Sequence, residues 1–380
     1  MNVLVPLGTR PEIIKLAPVV AALREHGIVT EVVATGQHYD AALTDAFFDG
    51  LGMQPDVRWQ LEGNEAQRVG SILEQAITLL DDRRPDAVVL LGDTNTVPLF
   101  CLAARRFSIP IVHVEAGLRS HNSTSLEEAN RRVAGTLASL HFAPTALAAA
   151  FLGREGVPPE RIRVVGNPIV DVLAASGKRP VPIDQRSGVV MTAHRASNVD
   201  DPRRLEELVA LVRQLGEDVG PVVFPLHPRT RARLDTAGSI TTLERANVQL
   251  LPPVTWDRML DLVAGSRIVV TDSGGLQEEA SYFGVPVVVL RTSTPRWEGV
   301  EAGTSVLTGL DAERAVAAAR AFADPGEQAR VAAVQCPYGD GHASARIARV
   351  LADPETASLL EFSEPELLPE ALRARAMVAR

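Results

Sequence analysis

The chain has 380 residues, 46% of them hydrophobic, with 38 basic and 47 acidic side chains (net charge −9) and two cysteines. At about 150 residues per domain this length predicts two domains, and the apolar fraction excludes a disordered or fibrous chain. Net acidity without a Lys/Arg block argues against nucleic acid as a partner, and no apolar run reaches the ~20 residues a membrane helix needs. The start MNVLVPL enters a strand-like pattern at once, which predicts no leader, and Cys101 and Cys336 belong to no metal or redox motif, so a reducing cytoplasm is the expected setting.

In chain order, NVLVPL (2–7) leads into a helix near 11–26, then TEVVATG (30–36) and helices near 41–50 and 66–82. AVVLLG (87–92), a helix near 96–106, IPIVHVE (109–115) and a helix from about 127 follow. Short apolar runs without polar alternation predict strands buried on both faces, and their alternation with helices predicts parallel, doubly wound sheets. Near 166–185, GNPIVDVL runs into ASGKRPVPIDQRSG, a Pro/Gly/Ser-containing stretch that reads as an interdomain linker. A second series then begins: GVVMTA (188–193), a helix near 202–216, PVVFPL (221–226), VQLLPP (248–253), SRIVVTD (266–272) and VPVVVL (285–290). The expectation is an α/β chain of two Rossmann-like domains facing a central cleft, one over 1–170 and one over 171–361. A terminal helix at about 362–380 is able to dock back on the first domain.

In open α/β sheets the ligand lies beyond the carboxyl ends of the strands, so polar residues that follow apolar runs carry the information. GTRPEIIK (8–15) places Arg10 and Lys15 at the first such turn, where helix amides can face an anion; a plain βα turn with two solvated cations reads equally well. TDSGGLQEE (271–279) offers Ser273, Gly274 and Gly275 as a diphosphate cradle and Glu279 as an acceptor for ribose hydroxyls, although Ser is also a common helix cap. Asp93 and Glu115 end consecutive apolar runs, and Glu127 and Glu128 open the next helix. Converging carboxylates suit acid and base chemistry; a cap, a Glu115–Arg119 ion pair and a helix-dipole role are the respective alternatives. His194, followed by Arg195, and His227 stand at two strand ends of the second series, consistent with phosphate contact or proton transfer, and no His spacing suits a metal.

Together these segments resemble the non-hydrolysing UDP-N-acetylglucosamine 2-epimerase family. The resemblance runs in order from GTRPEIIKLAP through TGQH, GDT, HVEAGLR, EEANRR, FAPT, GN and TAHR to DSGGLQEEA, GVPVVVLR, EGVEAGT and PYGDGHASARI. It implies the two-domain fold shared with many glycosyltransferases (GT-B type) and interconversion of UDP-GlcNAc and UDP-ManNAc through a 2-acetamidoglucal. It further implies no cofactor or metal, and a homodimer. By motif match it assigns proton transfer to Asp93, Glu115 and Glu127, and diphosphate binding to His194, Arg10 and the Ser273–Gly275 turn. Glu279 would take ribose, Arg296, Asn167 and Arg119 would face substrate, and Lys15 would stabilise the carboxylates or the leaving phosphate.

The chain departs from the family at several points. HRREN is HRASN here, with Ala196 and Ser197, and TTERPE is STPRWE, with Pro295 and Trp297. Thr124, Ser125 and Leu126 precede the Glu pair, Asp40 replaces a frequent glutamine, and Ala66 stands where an arginine is common. Many bacterial members bind a second, activating UDP-GlcNAc. Asp40, Ala66 and Ala196 fall among its usual contacts, whereas Gln37, His38, Glu128 and His227 are retained, so weakened or absent activation is expected. A hydrolysing epimerase, an enzyme for another UDP-sugar and a catalytically silent UDP-sugar-binding module are the competing readings. The acids disfavour a glycosyltransferase.

Overall fold

A computed structural model describes residues 1–36, 48 and 50–361. The terminal helix expected at 362–380 and most of the helix expected near 41–50 lie outside these residues. Two wholly parallel sheets organise the described chain. The first has the order β3-β2-β1-β4-β5-β6-β7, from β1 (Asn2–Leu7), β2 (Val29–Ala34), β3 (Val57–Arg58), β4 (Ala87–Leu91), β5 (Ile111–Val114), β6 (Leu140–Ala143) and β7 (Ile162–Val164). The second has the order β10-β9-β8-β11-β12-β13, from β8 (Val189–Thr192), β9 (Val222–Pro225), β10 (Val248–Leu251), β11 (Ile268–Thr271), β12 (Val287–Val289) and β13 (Ser305–Leu307).

The central strands are mostly apolar because each sheet is covered twice. In β1, Val3, Val5 and Leu7 enter one apolar cluster while Leu4 enters another on the opposite face, as the two-residue period of a strand dictates. In β11, Ile268 and Val270 face one layer and Val269 the other. Each sheet reverses its strand order at one place: between β1 and β4 in the first, and between β8 and β11 in the second. These switch points leave crevices at the carboxyl ends of the strands. The turns that emerge there are residues 8–10 and 92–95 in one lobe and 193–195 and 272–274 in the other.

The stretch expected to be a linker holds a helix. Asn167 caps Pro168–Ala175 by accepting the Ile169 amide, and Ile169, Val170 and Leu173 pack with Ile14 of the first lobe and Val269 and Leu276 of the second. Gly339 crosses this point so closely that a Cβ there would lie 3.1 Å from Gly166 Cα. The Asn167 amide donates to Tyr338 O at 2.8 Å, which ties the PYGDG turn to the hinge. Asp171 then accepts the amides of Ala343 and Ser344, starting the helix Ala343–Ala352. Ile347, Ala348, Leu351 and Leu360 belong to the first lobe's core, so the chain returns to that lobe well before the expected boundary at 361.

Candidate active site

A cavity of about 450 Å³ lies between the two switch points. The first lobe lines it with Arg10, Lys15, Asp93 and Glu115, and the second with Ser273, Gly275, Glu279 and Arg296. A larger groove of about 780 Å³ lies elsewhere, between Met1, Asp86 and the Leu351–Leu360 region, and contains none of the strand-end residues singled out from the sequence.

The floor of the cavity is a buried ion cluster built by both lobes. Lys15, on the inner face of the helix Arg10–Glu25, donates to Glu115 Oε1 at 2.6 Å and to Glu278 Oε2 at 3.0 Å. Arg296 Nε donates to Glu278 Oε1 at 2.7 Å, and its Nη2 lies 3.6 Å from Glu115 Oε1. Asn167 Nδ2 bridges the same acids, at 2.7 Å from Glu115 and 2.9 Å from Glu278. Burial alone would favour neutral Glu115, but Lys15, Arg296 and the Asn167 amide outweigh it and hold the carboxyl well below the usual range. Burial likewise opposes the charge on Lys15, and Glu115 and Glu278 hold it cationic. Glu115 also has a positive φ of 59°, a costly backbone state for a residue with a Cβ and one that concentrates at functional sites. Gly92 (φ 73°) faces it; a Cβ there would lie 3.4 Å from Glu115 Oε2.

Asp93 follows Gly92. Its carboxylate pairs with Arg131, and its carbonyl accepts from Asn130 Nδ2 at 2.9 Å, so the helix Leu126–Leu137 fixes this turn. Glu127, half-buried on the same helix, accepts from the Ser125 hydroxyl. Burial opposes its ionisation, but Ser125, its own amide, Arg195 of the other lobe and Arg131 hold its pKa below the usual value. Glu128 turns away, accepting Ser120 N and Oγ and the amide of His121 and pairing with Arg131 at 3.0 Å.

In the second lobe, Asp272 follows β11 directly, is fully buried, and accepts the amides of His194 and Arg195, Asn198 Nδ2 and, at 3.0 Å, His194 Nδ1. It thereby joins the two turns of the switch point and orients the imidazole. His227 lies beside it, ring centroids 5.6 Å apart, with Nδ1 accepting the Arg229 amide. Ser273 caps the helix Gly274–Tyr282 by accepting the Leu276 amide, and Ser273 and Gly275 line the cavity at this helix start, where first-turn amides have no partner within the helix. Glu279 accepts the Trp256 indole N–H at 2.9 Å, and burial pushes its pKa up to about 7.

Arg10, Lys15, Asp93, Glu115, Ser273, Gly275, Glu279 and Arg296 line the cavity as the sequence suggests, and Asn167 joins its floor, whereas Glu127 and His194 are not among the lining residues and one residue needs correction. Arg119 does not face the cavity and does not pair with Glu115: it is fully buried, with Nε and Nη2 bound by Glu155 at 2.9 and 2.6 Å. Gln37 and His38, with the Asp40 substitution, lie outside the described residues. The sequence reading missed Glu12, Asp272 and Glu278. Glu12 is buried on the cavity wall and accepts Gly8 N, Thr9 Oγ1 and, from the Asp93 turn, Thr94 Oγ1 at 2.8–2.9 Å, and burial pushes it up to about 7. The spacing Thr9-x-x-Glu12 is a capping-box signal that could have drawn notice. Among the described residues no group of His, Cys, Asp and Glu is arranged to hold a metal ion, and no helix is long and apolar enough to cross a membrane.

A family profile described as UDP-N-acetylglucosamine 2-epimerase matches residues 21–352, most of the chain. The chain belongs to the UDP-N-acetylglucosamine 2-epimerase family. The Bacillus subtilis UDP-N-acetylglucosamine 2-epimerase is 37% identical over 368 residues, which cover 92% of this chain and 95% of that one. At 35% over 368 residues (93% and 99%), the chain is also similar to the UDP-2,3-diacetamido-2,3-dideoxy-D-glucuronate 2-epimerase of Pseudomonas aeruginosa. In three dimensions it matches the Methanocaldococcus jannaschii UDP-GlcNAc 2-epimerase, solved in complex with UDP-GlcNAc and UDP, with a TM-score of 0.82 and 34% identity, covering 92% of this chain and 99% of that one. In this epimerase-family enzyme with the GT-B-type arrangement, Asp93 and Glu115 reach the cavity from the first lobe and the start of the helix Gly274–Tyr282 reaches it from the second.

Proposed function

We propose that this enzyme reversibly inverts carbon 2 of UDP-N-acetyl-D-glucosamine, giving UDP-N-acetyl-D-mannosamine. A cleft carboxylate takes the proton from carbon 2. The electron pair left behind becomes the C1–C2 double bond as the C1–O bond breaks, and its electrons leave on the β-phosphate of UDP. UDP and the 2-acetamidoglucal stay enclosed; a phosphate oxygen then adds back at C1 while a proton reaches C2 from the opposite face. Nothing is oxidised overall, so no redox cofactor is required. One observation carries this reading: Asp93 and Glu115, from consecutive strand ends, open onto the same cavity as the Ser273–Gly275 helix start.

Asp93, Glu115 and Glu127 are the proton carriers in this proposal. Arg10, His194 and the Ser273–Gly275 amides take the diphosphate, and Glu279 takes the ribose. The carbon-2 proton is weakly acidic, so the base needs strength as well as position. With Lys15 and Arg296 against it, Glu115 is a weak base. An incoming diphosphate attracts the same two cations, and whatever they yield to phosphate restores basicity to Glu115. Asn167 acts through Glu115 and Glu278 by holding both acids.

The test is incubation with UDP-GlcNAc in deuterium oxide, followed by NMR of the sugar. Deuterium at carbon 2 together with UDP-ManNAc is expected; Asp93→Asn and Glu115→Gln should each lower exchange by about 10²–10⁴-fold while UDP still binds. Free ManNAc with stoichiometric UDP would instead identify a hydrolase, and absence of exchange would refute both. A second substrate belongs in the same assay, because one similar protein is named for a UDP-diacetamido-uronate. Inversion of that sugar in preference to UDP-GlcNAc would change the substrate and leave the chemistry intact. Activation by a second UDP-GlcNAc is proposed to be weak or absent, given Ala66 and Ala196. Hyperbolic kinetics and turnover of UDP-ManNAc alone are expected; a sigmoidal response with UDP-ManNAc inert until UDP-GlcNAc is added would contradict it. A homodimer completes the proposal and is read by sedimentation.

A further inference from the structure

Glu279 is a buried acid with one oxygen satisfied and one left over. It is 6% exposed; Oε1 accepts the Trp256 indole N–H at 2.9 Å, and Oε2 is buried with no hydrogen-bond partner among the described residues. Both residues line the cavity described above. A buried acceptor without a donor is costly and is tolerated where something else completes it. The indole N–H is a donor only, with a direction fixed by its ring, so it can hold one carboxylate oxygen and nothing more. Its own placement is secured locally: Trp256 is the first residue of the helix Trp256–Gly265, capped by Thr255 through the Arg258 amide.

We propose that Trp256 is the positioning residue for the nucleotide's ribose, its indole N–H clamping Glu279 Oε1 so that Oε2 is presented to the ribose hydroxyls. The proposal rests on the reading of the ligand as a UDP-sugar and of Glu279 as its ribose acceptor. Without the clamp the carboxyl is free to rotate about its terminal torsion, and the oxygen facing the cavity is no longer fixed. The consequence is specific. Loss of the N–H should cost affinity for a nucleotide that has ribose hydroxyls and leave one that lacks them almost untouched.

The experiment is calorimetric titration of UDP and 2′,3′-dideoxy-UDP into the intact protein and into Trp256→Phe, which keeps an aromatic ring and loses the donor. The unaltered protein should prefer UDP by about tenfold or more, the scale of a hydrogen bond to a charged group. In Trp256→Phe this preference should fall toward unity through weaker UDP binding, and in turnover the loss should appear more in KM than in kcat. Glu279→Gln should erode the same preference. An unchanged preference in Trp256→Phe, or equal weakening of both nucleotides, overturns the proposal, the latter because it marks Trp256 as packing alone. UDP bound without any preference over the dideoxy compound overturns the ribose role while leaving the UDP-sugar reading standing, and absence of UDP binding removes both. One readout needs no substitution. The Trp256 indole ¹⁵N–H resonance should shift further with UDP than with the dideoxy analogue, and equal shifts would count against the clamp.

Discussion

Glu278 and Glu279 are neighbours on one helix, about 100° apart around its axis, and the protein treats them in opposite ways. Glu278 points at the first lobe and is fully occupied, by Lys15 at 3.0 Å, Asn167 at 2.9 Å and Arg296 at 2.7 Å. Glu279 points at the cavity and receives one indole N–H. Both are buried, so burial does not separate them. What separates them is who supplies the donors. The chain itself completes Glu278, which therefore fastens the lobes at the hinge, whereas Glu279 retains an open acceptor. A buried acid left half-satisfied beside a cavity is the sharper functional marker.

The comparison breaks most visibly at Lys15. Lys15→Met should leave Glu115 and Glu278 with Arg296 as the remaining cation of the cluster beside the neutral Asn167 amide, with a loss of about 3–5 kcal/mol of stability in urea unfolding and loss of turnover. A stability change below about 1 kcal/mol, within the surface-pair range, would mean that water reaches the cluster and that the lobes are not fastened there. Lys15→Arg separates charge from shape. The ammonium lies 2.6 and 3.0 Å from two carboxylates, a site a planar fork does not fit without displacing them, so turnover should drop while most stability remains.

How much of this was legible in the sequence follows from the same cluster. Most central strands announced themselves because both faces are buried, and GTRPEIIK, GDT, HVEAGLR and DSGG marked the strand ends that meet; the interior strand Leu140–Ala143 is just as buried but went unread, because His141 interrupts a run of only four residues. Edge strands Val57–Arg58 and Ile162–Val164 are short and mixed in exposure, and they left no apolar run to read. Pairings were not legible. Lys15 lies 100 residues from Glu115 and 263 from Glu278, so neither spacing nor periodicity links them. Arg119 was misplaced for the same reason: its partner Glu155 is 36 residues further on, beyond two helices and a strand. Glu278 was overlooked because in an EE pair the sequence cannot say which acid meets protein and which meets ligand.

Amide substitutions at the two glutamates sharpen the contrast directly. Glu278→Gln keeps the shape but removes the charge that answers Lys15 and Arg296, and should cost about 1.5–3 kcal/mol, the range for hydrogen bonds to charged groups. Glu279→Gln should stay within about 1 kcal/mol of the parent near pH 7, since a net hydrogen bond is worth no more than that, and should instead weaken UDP. If Glu279→Gln destabilises as much as Glu278→Gln, both acids are structural and the distinction fails.

The gentlest test is the pH dependence of stability, where the two kinds of acid have opposite signs. Glu279 and Glu12 are pushed by burial from 4.5 up to about 7. Between those values the folded protein keeps protons that the unfolded chain has released, so these groups make stability fall as pH rises through that window. Glu115 is held below 4.5 by Lys15 and Arg296 despite its burial, so its contribution is present above 4.5 and is lost as pH falls toward acid. Urea unfolding from pH 2.5 to 7.5 should therefore show a decline on the alkaline side that flattens in Glu279→Gln and in Glu12→Gln. Glu115→Gln should leave that decline in place and remove part of the acid-side loss instead. A decline equally steep in all three variants would mean that the cavity acids titrate near their ordinary values. The unpartnered oxygen of Glu279 would then already be served by water, and the difference between Glu278 and Glu279 would be one of geometry without an energetic consequence.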